Sequence, residues 1–180
     1  MLVIDCQCLR GAAGELVIKE LAFVKINCDH LECSNSYFFK QPYPSSLLSF
    51  KSLQTNRWSI RYLHGIDWKY GQIEYKHLRS ILYDITENEN VVYVKGTERK
   101  RLISEILRGY KTVVDLDIFD CPPAHLLTDL LSATRCHFPH KTHCARLFCE
   151  KYACWLQKRK STAADKVTEW LKENSNLSFP

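Results

Sequence analysis

Apolar and polar positions follow one rhythm in the first forty residues and another in the rest. Leu2-Val3-Ile4 leads into Asp5-Cys6-Gln7-Cys8, a short strand ending on an acid. Gly11 and Gly14 bracket a turn. From Glu15 to Asn27, Leu16, Ile18, Ala22, Val24 and Ile26 recur at period two, which predicts a second strand and a hairpin. Glu20 interrupts that apolar face. Ser36-Tyr37-Phe38-Phe39 is a third predicted strand before the break at Pro42 and Pro44.

Helical spacing then takes over. Ser45 to Asn56 reads as a short helix or a loop, and Trp58 to Trp68 as an aromatic-rich stretch around His64-Gly65-Ile66. Ile73, Leu78, Ile81, Leu82 and Ile85 suit a helix, Val91–Val94 a buried strand, and Thr97 the cap of a helix running to Gly109. Thr112–Leu116 is another strand. Pro122 and Pro123 open a predicted helix through Leu131. A helix over His143–Lys158 follows, and Thr162-x-x-Asp165 resembles a capping box for a last one ending near Asn174. Three strands followed by alternating helices and strands predict an α/β domain. Its sheet is mixed, antiparallel at the N-terminal strands and then parallel, with helices on both faces. The reading is a single domain over residues 1–174 with a short tail at 175–180.

Composition narrows the setting. The chain has 180 residues, enough for one domain with a proper core, and an ordinary balance of apolar and charged residues. Nine cysteines is an odd number, and the first apolar run stops at Asp5, too short for a secretory signal. These features predict an intracellular protein, cytoplasmic or nuclear, whose thiols are free, buried or metal-bound. No stretch approaches the ~18 apolar residues of a membrane span. A net charge of +5 permits an anionic partner without demanding one.

The densest chemistry lies in Cys136-His137-Phe138-Pro139-His140-Lys141-Thr142-His143-Cys144. Cys136, His140 and Cys144 make a C-x3-H-x3-C set, and Cys121 lies upstream. Four thiolate or imidazole donors converging tetrahedrally close a structural zinc site. The predicted ligands are Cys121, Cys136, His140 and Cys144, with His137 or His143 as substitutes. The alternative is a His-rich surface loop beside a core cysteine. Glu20 is read as facing solvent from an edge strand, with a fourth metal ligand as its alternative.

Four local matches point to a family. Val3-Ile4-Asp5-Cys6-Gln7 resembles the opening D-x-E strand of the DEDD 3′–5′ exonucleases, and His64-Gly65-Ile66 their HGI turn. Val92–Gly96 is similar to their second buried strand. His140 followed by Cys144-Ala145 resembles the His-x4-Asp start of the last helix in the DEDDh subgroup. The resemblance covers about residues 1–157 and implies a ribonuclease H-like mixed sheet. The chain is similar to the Maelstrom domain, a divergent relative with Cys, His and Cys zinc ligands in place of exonuclease carboxylates. The family's chemistry needs two metal ions held by four carboxylates. Here Asp5 matches the first acid, but Gln7 stands at the second and Ala145 at the fourth, with Glu98 a displaced candidate for the third. The resemblance therefore implies a degenerate exonuclease-like domain without magnesium chemistry. A nuclease with a rearranged site at Asp5, Glu20 and Glu98 is the active alternative.

Basic residues interleaved with aromatics complete the reading. Trp58, Arg61, Tyr62 and Trp68 are predicted on one rim of a groove, and Lys95, Arg99 and Lys100 on the other. Together they would stack bases and contact phosphates of a single strand, RNA ahead of DNA. A zinc-stabilised module that binds a protein partner is the alternative.

Overall fold

The computed structural model describes residues 1–27, 31–127 and 136–159. Strands β1 (Leu2–Arg10) and β2 (Leu16–Ile26) form the predicted hairpin, pairing Asp5 with Ala22 and Gln7 with Glu20, and a bulge follows Gln7. Strand β3 (Leu31–Phe38) continues antiparallel beside β2 and begins five residues earlier than the aromatic run suggested. After helices α1 (Phe50–Tyr62) and α2 (Leu78–Thr86), β4 (Val91–Val94) lies parallel to β1. Helix α3 (Thr97–Leu107) then leads to β5 (Thr112–Asp115), parallel to β4. Helix α4 (Ala145–Gln157) closes the described chain. The strand order is β3-β2-β1-β4-β5.

Period-two alternation sends successive β1 residues to opposite layers. Leu2, Ile4 and Cys6 pack with Ile18, Leu21 and the inner residues of α2 and α3. Val3 packs on the other face with Ala22, Val24 and Ile26 of β2 and Cys149, Tyr152 and Leu156 of α4. Each fully buried apolar side chain of this kind contributes about 1.5–3 kcal/mol. The same alternation carries Asp5 and Gln7 to the α4 side.

Strand β2 holds two consecutive buried charges. Lys19 donates from Nζ to the Phe39 carbonyl at 2.6 Å and the Trp68 carbonyl at 2.8 Å. Burial pushes its pKa down to about 8. It fastens the segments after β3 and α1 to the sheet. Glu20, on the opposite face, is also fully buried. The expectation of a solvent-facing Glu20 is overturned because β2 lies between β1 and β3, and α4 covers that face.

Helix α1 is longer than its pattern showed and carries the chain through Trp58 to Tyr62. Ser49 caps it, accepting from the Ser52 amide. Thr97 lies in the first turn of α3 and is not its cap. Asp115, at the end of β5, accepts instead from the Gly96 amide at 2.8 Å. Where Pro122 and Pro123 predicted a helix, the described part is a 3-10 turn, Ala124–Leu126, with Leu127 extended. The rest of that predicted helix, the one after Thr162 and the 175–180 tail lie outside the described residues. No helix among the described residues is long and apolar enough to cross a membrane.

Candidate metal centre

Segment 136–144 has neither helix nor strand and lies against β2 and the end of α1. Phe138 anchors it, 4.7 Å from the Tyr70 ring and 5.4 Å from that of Phe38. Cys144 then becomes the N-cap of α4. Donor atoms of Cys136, His140, Cys144 and Glu20 all lie within 4.8 Å of one another. Three of the four predicted ligands thus come together, and the fourth place belongs to Glu20. Cys121 is elsewhere in the core, its Sγ against the Pro122 carbonyl, with burial pushing its thiol up to about 12. His137 is exposed, and His143 packs against Phe148, so neither substitutes.

Hydrogen bonding orients His140. Its Nδ1 lies 3.1 Å from the His64 carbonyl, which can only accept, so Nδ1 carries the proton. In the neutral ring Nε2 then presents a lone pair. It faces Glu20 Oε1 at 3.3 Å, yet neither atom has a hydrogen-bond partner. Two buried acceptors facing each other are costly unless a proton or a metal cation lies between them. Donors about 2.0–2.1 Å from a tetrahedral zinc stand about 3.3–3.4 Å apart, which fits the observed gap.

The first turn of α4 favours negative ligands. Glu20 Oε2 accepts from the Ala145 amide at 3.3 Å, and Cys144 Sγ from the Leu147 amide at 3.4 Å. Burial nevertheless pushes the Cys144 thiol up to about 12. A divalent ion would reverse that balance, because coordination displaces the thiol proton. Two cysteines, an imidazole and a carboxylate form a donor set suited to zinc.

Asp5 meets a different partner. It is 1% exposed, and its Oδ1 lies 2.5 Å from Nε of Arg99, although the approach is not that of a hydrogen bond. Burial pushes its carboxyl up to about 6 against the pull of that guanidinium. The carboxylate in turn raises the affinity of Arg99 for its proton, so the two stand as an ion pair at neutral pH. Glu98 points away on the α3 surface and pairs with Arg10 at 3.3 Å. Asp5, Glu20 and Glu98 thus do not assemble as a carboxylate cluster.

The predicted nucleic-acid residues divide. Trp58, Arg61 and Tyr62 lie on the exposed side of α1, with Trp58 54% and Tyr62 50% exposed. The Trp58 and Tyr62 rings are 6.1 Å apart, and the Arg61 guanidinium lies 5.3 Å from the Tyr62 ring. Trp68 does not join them. It is core, packed on Tyr43, and its Nε1 donates to the Tyr43 carbonyl. The opposite rim is not a row of free cations either. Lys95 pairs with Asp117, in the 3-10 turn after β5, and Arg99 with Asp5 of the central strand β1, while Lys100 lies half-buried on α3.

No family profile, curated protein or solved structure matches the chain.

Proposed function

We propose that this chain is a zinc-stapled, catalytically silent domain of ribonuclease H-like plan that holds single-stranded RNA. The observation that carries the metal reading is the pair of unpartnered acceptors, Glu20 Oε1 and His140 Nε2, 3.3 Å apart between two cysteines. A bound ion would neutralise the carboxylate, draw both thiols to thiolates and cross-link β2 to the start of α4. A mixed sheet with antiparallel N-terminal strands and then parallel ones is what the exonuclease resemblance implies, and the pairing of β1 with β2 and β4 supports that plan.

Silence follows from the neighbouring acid. Two-metal catalysis needs carboxylates free to hold divalent ions. Asp5 is already paired with Arg99, Gln7 beside it is a neutral amide, and Glu98 is on the surface. The guanidinium supplies within the chain the positive charge that a metal would bring.

The strand reading rests on α1. That helix carries Lys51, Arg57 and Arg61 with no acid, and exposes Phe50, Trp58 and Tyr62. Aromatic faces beside guanidinium groups suit stacked bases and phosphates in any sequence. An acidic, apolar protein segment is the other occupant such a face would take.

Elemental analysis and titration test both halves together. Protein purified without added metal is expected to hold about one zinc per chain. It should bind oligouridylate with an affinity that falls steeply with salt. Zinc-free protein of unchanged melting temperature would remove the metal reading. Digestion of end-labelled RNA that disappears on Asp5→Asn would remove the silent one.

A further inference from the structure

A helix leaves its last carbonyls without donors of its own. In α1 the carbonyls that follow are capped by the ligand-bearing loop. The amides of Thr142 and His143 donate to the Leu63 carbonyl at 2.8 and 2.9 Å. The Thr142 hydroxyl shares its proton between the Tyr62 carbonyl at 3.0 Å and that of Leu63 at 3.2 Å. His140 donates through Nδ1 to the His64 carbonyl at 3.1 Å. Three successive carbonyls, 62 to 64, are thus taken up by residues lying at or between the ligands His140 and Cys144.

The chain turns away beneath this cap at Gly65, whose φ of 76° is one that side-chain-bearing residues rarely adopt. A Cβ placed there would meet Phe138, Lys141 and the Pro139 carbonyl at ordinary contact distance, so the loop rests directly on the turn. The last turns of the same helix present Trp58, Arg61 and Tyr62 to solvent.

We propose that metal occupancy controls this α1 face. The ion holds the loop to β2, the loop caps the helix end, and the capped end keeps the aromatic and basic side chains in register for a strand. Without the ion the loop has no secondary structure of its own, and its His140 faces the buried Glu20 of β2 with no hydrogen bond between them. The capping bonds then keep only the Phe138 packing as an anchor, while the sheet keeps its ladders. The regulated ligand rests on the strand reading above, but the coupling between ion and helix end does not need it. Reciprocity requires a bound strand to tighten zinc by the same factor that zinc tightens the strand.

Amide exchange and binding of fluorescein-labelled oligouridylate are compared in zinc-loaded and chelator-stripped protein. Faster exchange in the last two turns of α1, with β1 and β4 unchanged, is expected on stripping. Strand affinity should fall about tenfold, within the usual span of such couplings. Unchanged α1 exchange in stripped protein overturns the inference. Loosened α1 in a protein that binds no strand even when loaded keeps the coupling and removes only the strand reading. Should stripping unfold the whole chain, Thr142→Val in the loaded protein decides. Weaker α1 protection at full zinc content supports the coupling, and unchanged protection overturns it. Where the strand binds, competition with a chelating dye reads the reciprocal effect, and no gain in zinc affinity contradicts the proposal.

Discussion

Two buried acids on neighbouring strands of one sheet face the same electrostatic problem and meet different solutions. Asp5 on β1 and Glu20 on β2 both lie under α4 with almost no exposure. A carboxylate removed from water needs a compensating cation or it gives up its charge. Asp5 takes its cation from within the chain, as the guanidinium of Arg99. Glu20 has a histidine ring nitrogen, two thiols and a backbone amide around it. One acid is charge-paired within the fold, although neither of its oxygens accepts a hydrogen bond, and the other lies where an ion could sit. The contrast separates a carboxylate paired within the chain from one placed where a metal ion could bind.

The largest expected effect comes from emptying the second site. Stripping zinc, or Cys144→Ser, should lower stability by several kcal/mol, because binding a metal to a site absent in the unfolded chain adds directly to folding free energy. Calorimetry with and without chelator measures it. Arg99→Met comes next, since an unpaired buried carboxylate costs about 3–5 kcal/mol. Adding Asp5→Asn to Arg99→Met should recover most of the loss. A double variant as unstable as the single would show that Arg99 acts by packing rather than charge. Neither change should alter zinc content, which keeps the two solutions distinct.

A smaller effect follows from pH. The folded-state pKa of Asp5, about 6, lies above its ordinary 3.8. The folded chain therefore binds more protons than the unfolded one between those values, and stability from this group falls as pH rises through that window. Two units correspond to roughly 2–3 kcal/mol. Acid also strips metal, so the quantity to follow is the difference between wild type and Asp5→Asn from pH 4 to 7. It should shift in favour of the asparagine variant as pH rises, and a flat difference would contradict the desolvation argument. The smallest effect is on the surface. Trp58→Ala should weaken oligouridylate by about 1–3 kcal/mol for a lost stacked base while leaving stability within about 0.5 kcal/mol.

Much of this was legible in the residues themselves. Period-two runs exposed the hairpin, and helical spacing α2, α3 and α4, because each element buries one face and polar residues mark the other. Cys136, His140 and Cys144 were legible because a short local spacing brings them together. Glu20 was visible as an acid breaking an apolar strand, but its solvent-facing assignment depended on the strand being an edge. Only the sheet order, a long-range property, places β2 inside. Cys121 misled for the complementary reason: closeness in sequence to the loop does not bring a core thiol to the cluster of Glu20, Cys136, His140 and Cys144. Arg99 could not be paired with Asp5 from local pattern, since 94 positions, three strands and two helices separate them. Trp68 looked like its aromatic neighbours because composition does not distinguish a ring on a helix surface from one buried against Tyr43.

X-ray absorption at the zinc edge tests the central claim most directly, because it counts sulfur ligands. The account predicts one zinc bound by two sulfur atoms at about 2.3 Å and two nitrogen or oxygen atoms at about 2.0–2.1 Å. Glu20→Ala should change the light-atom shell and leave both sulfurs in place. Three sulfurs, which would return Cys121 to the site in place of Glu20, or no bound zinc, would contradict it.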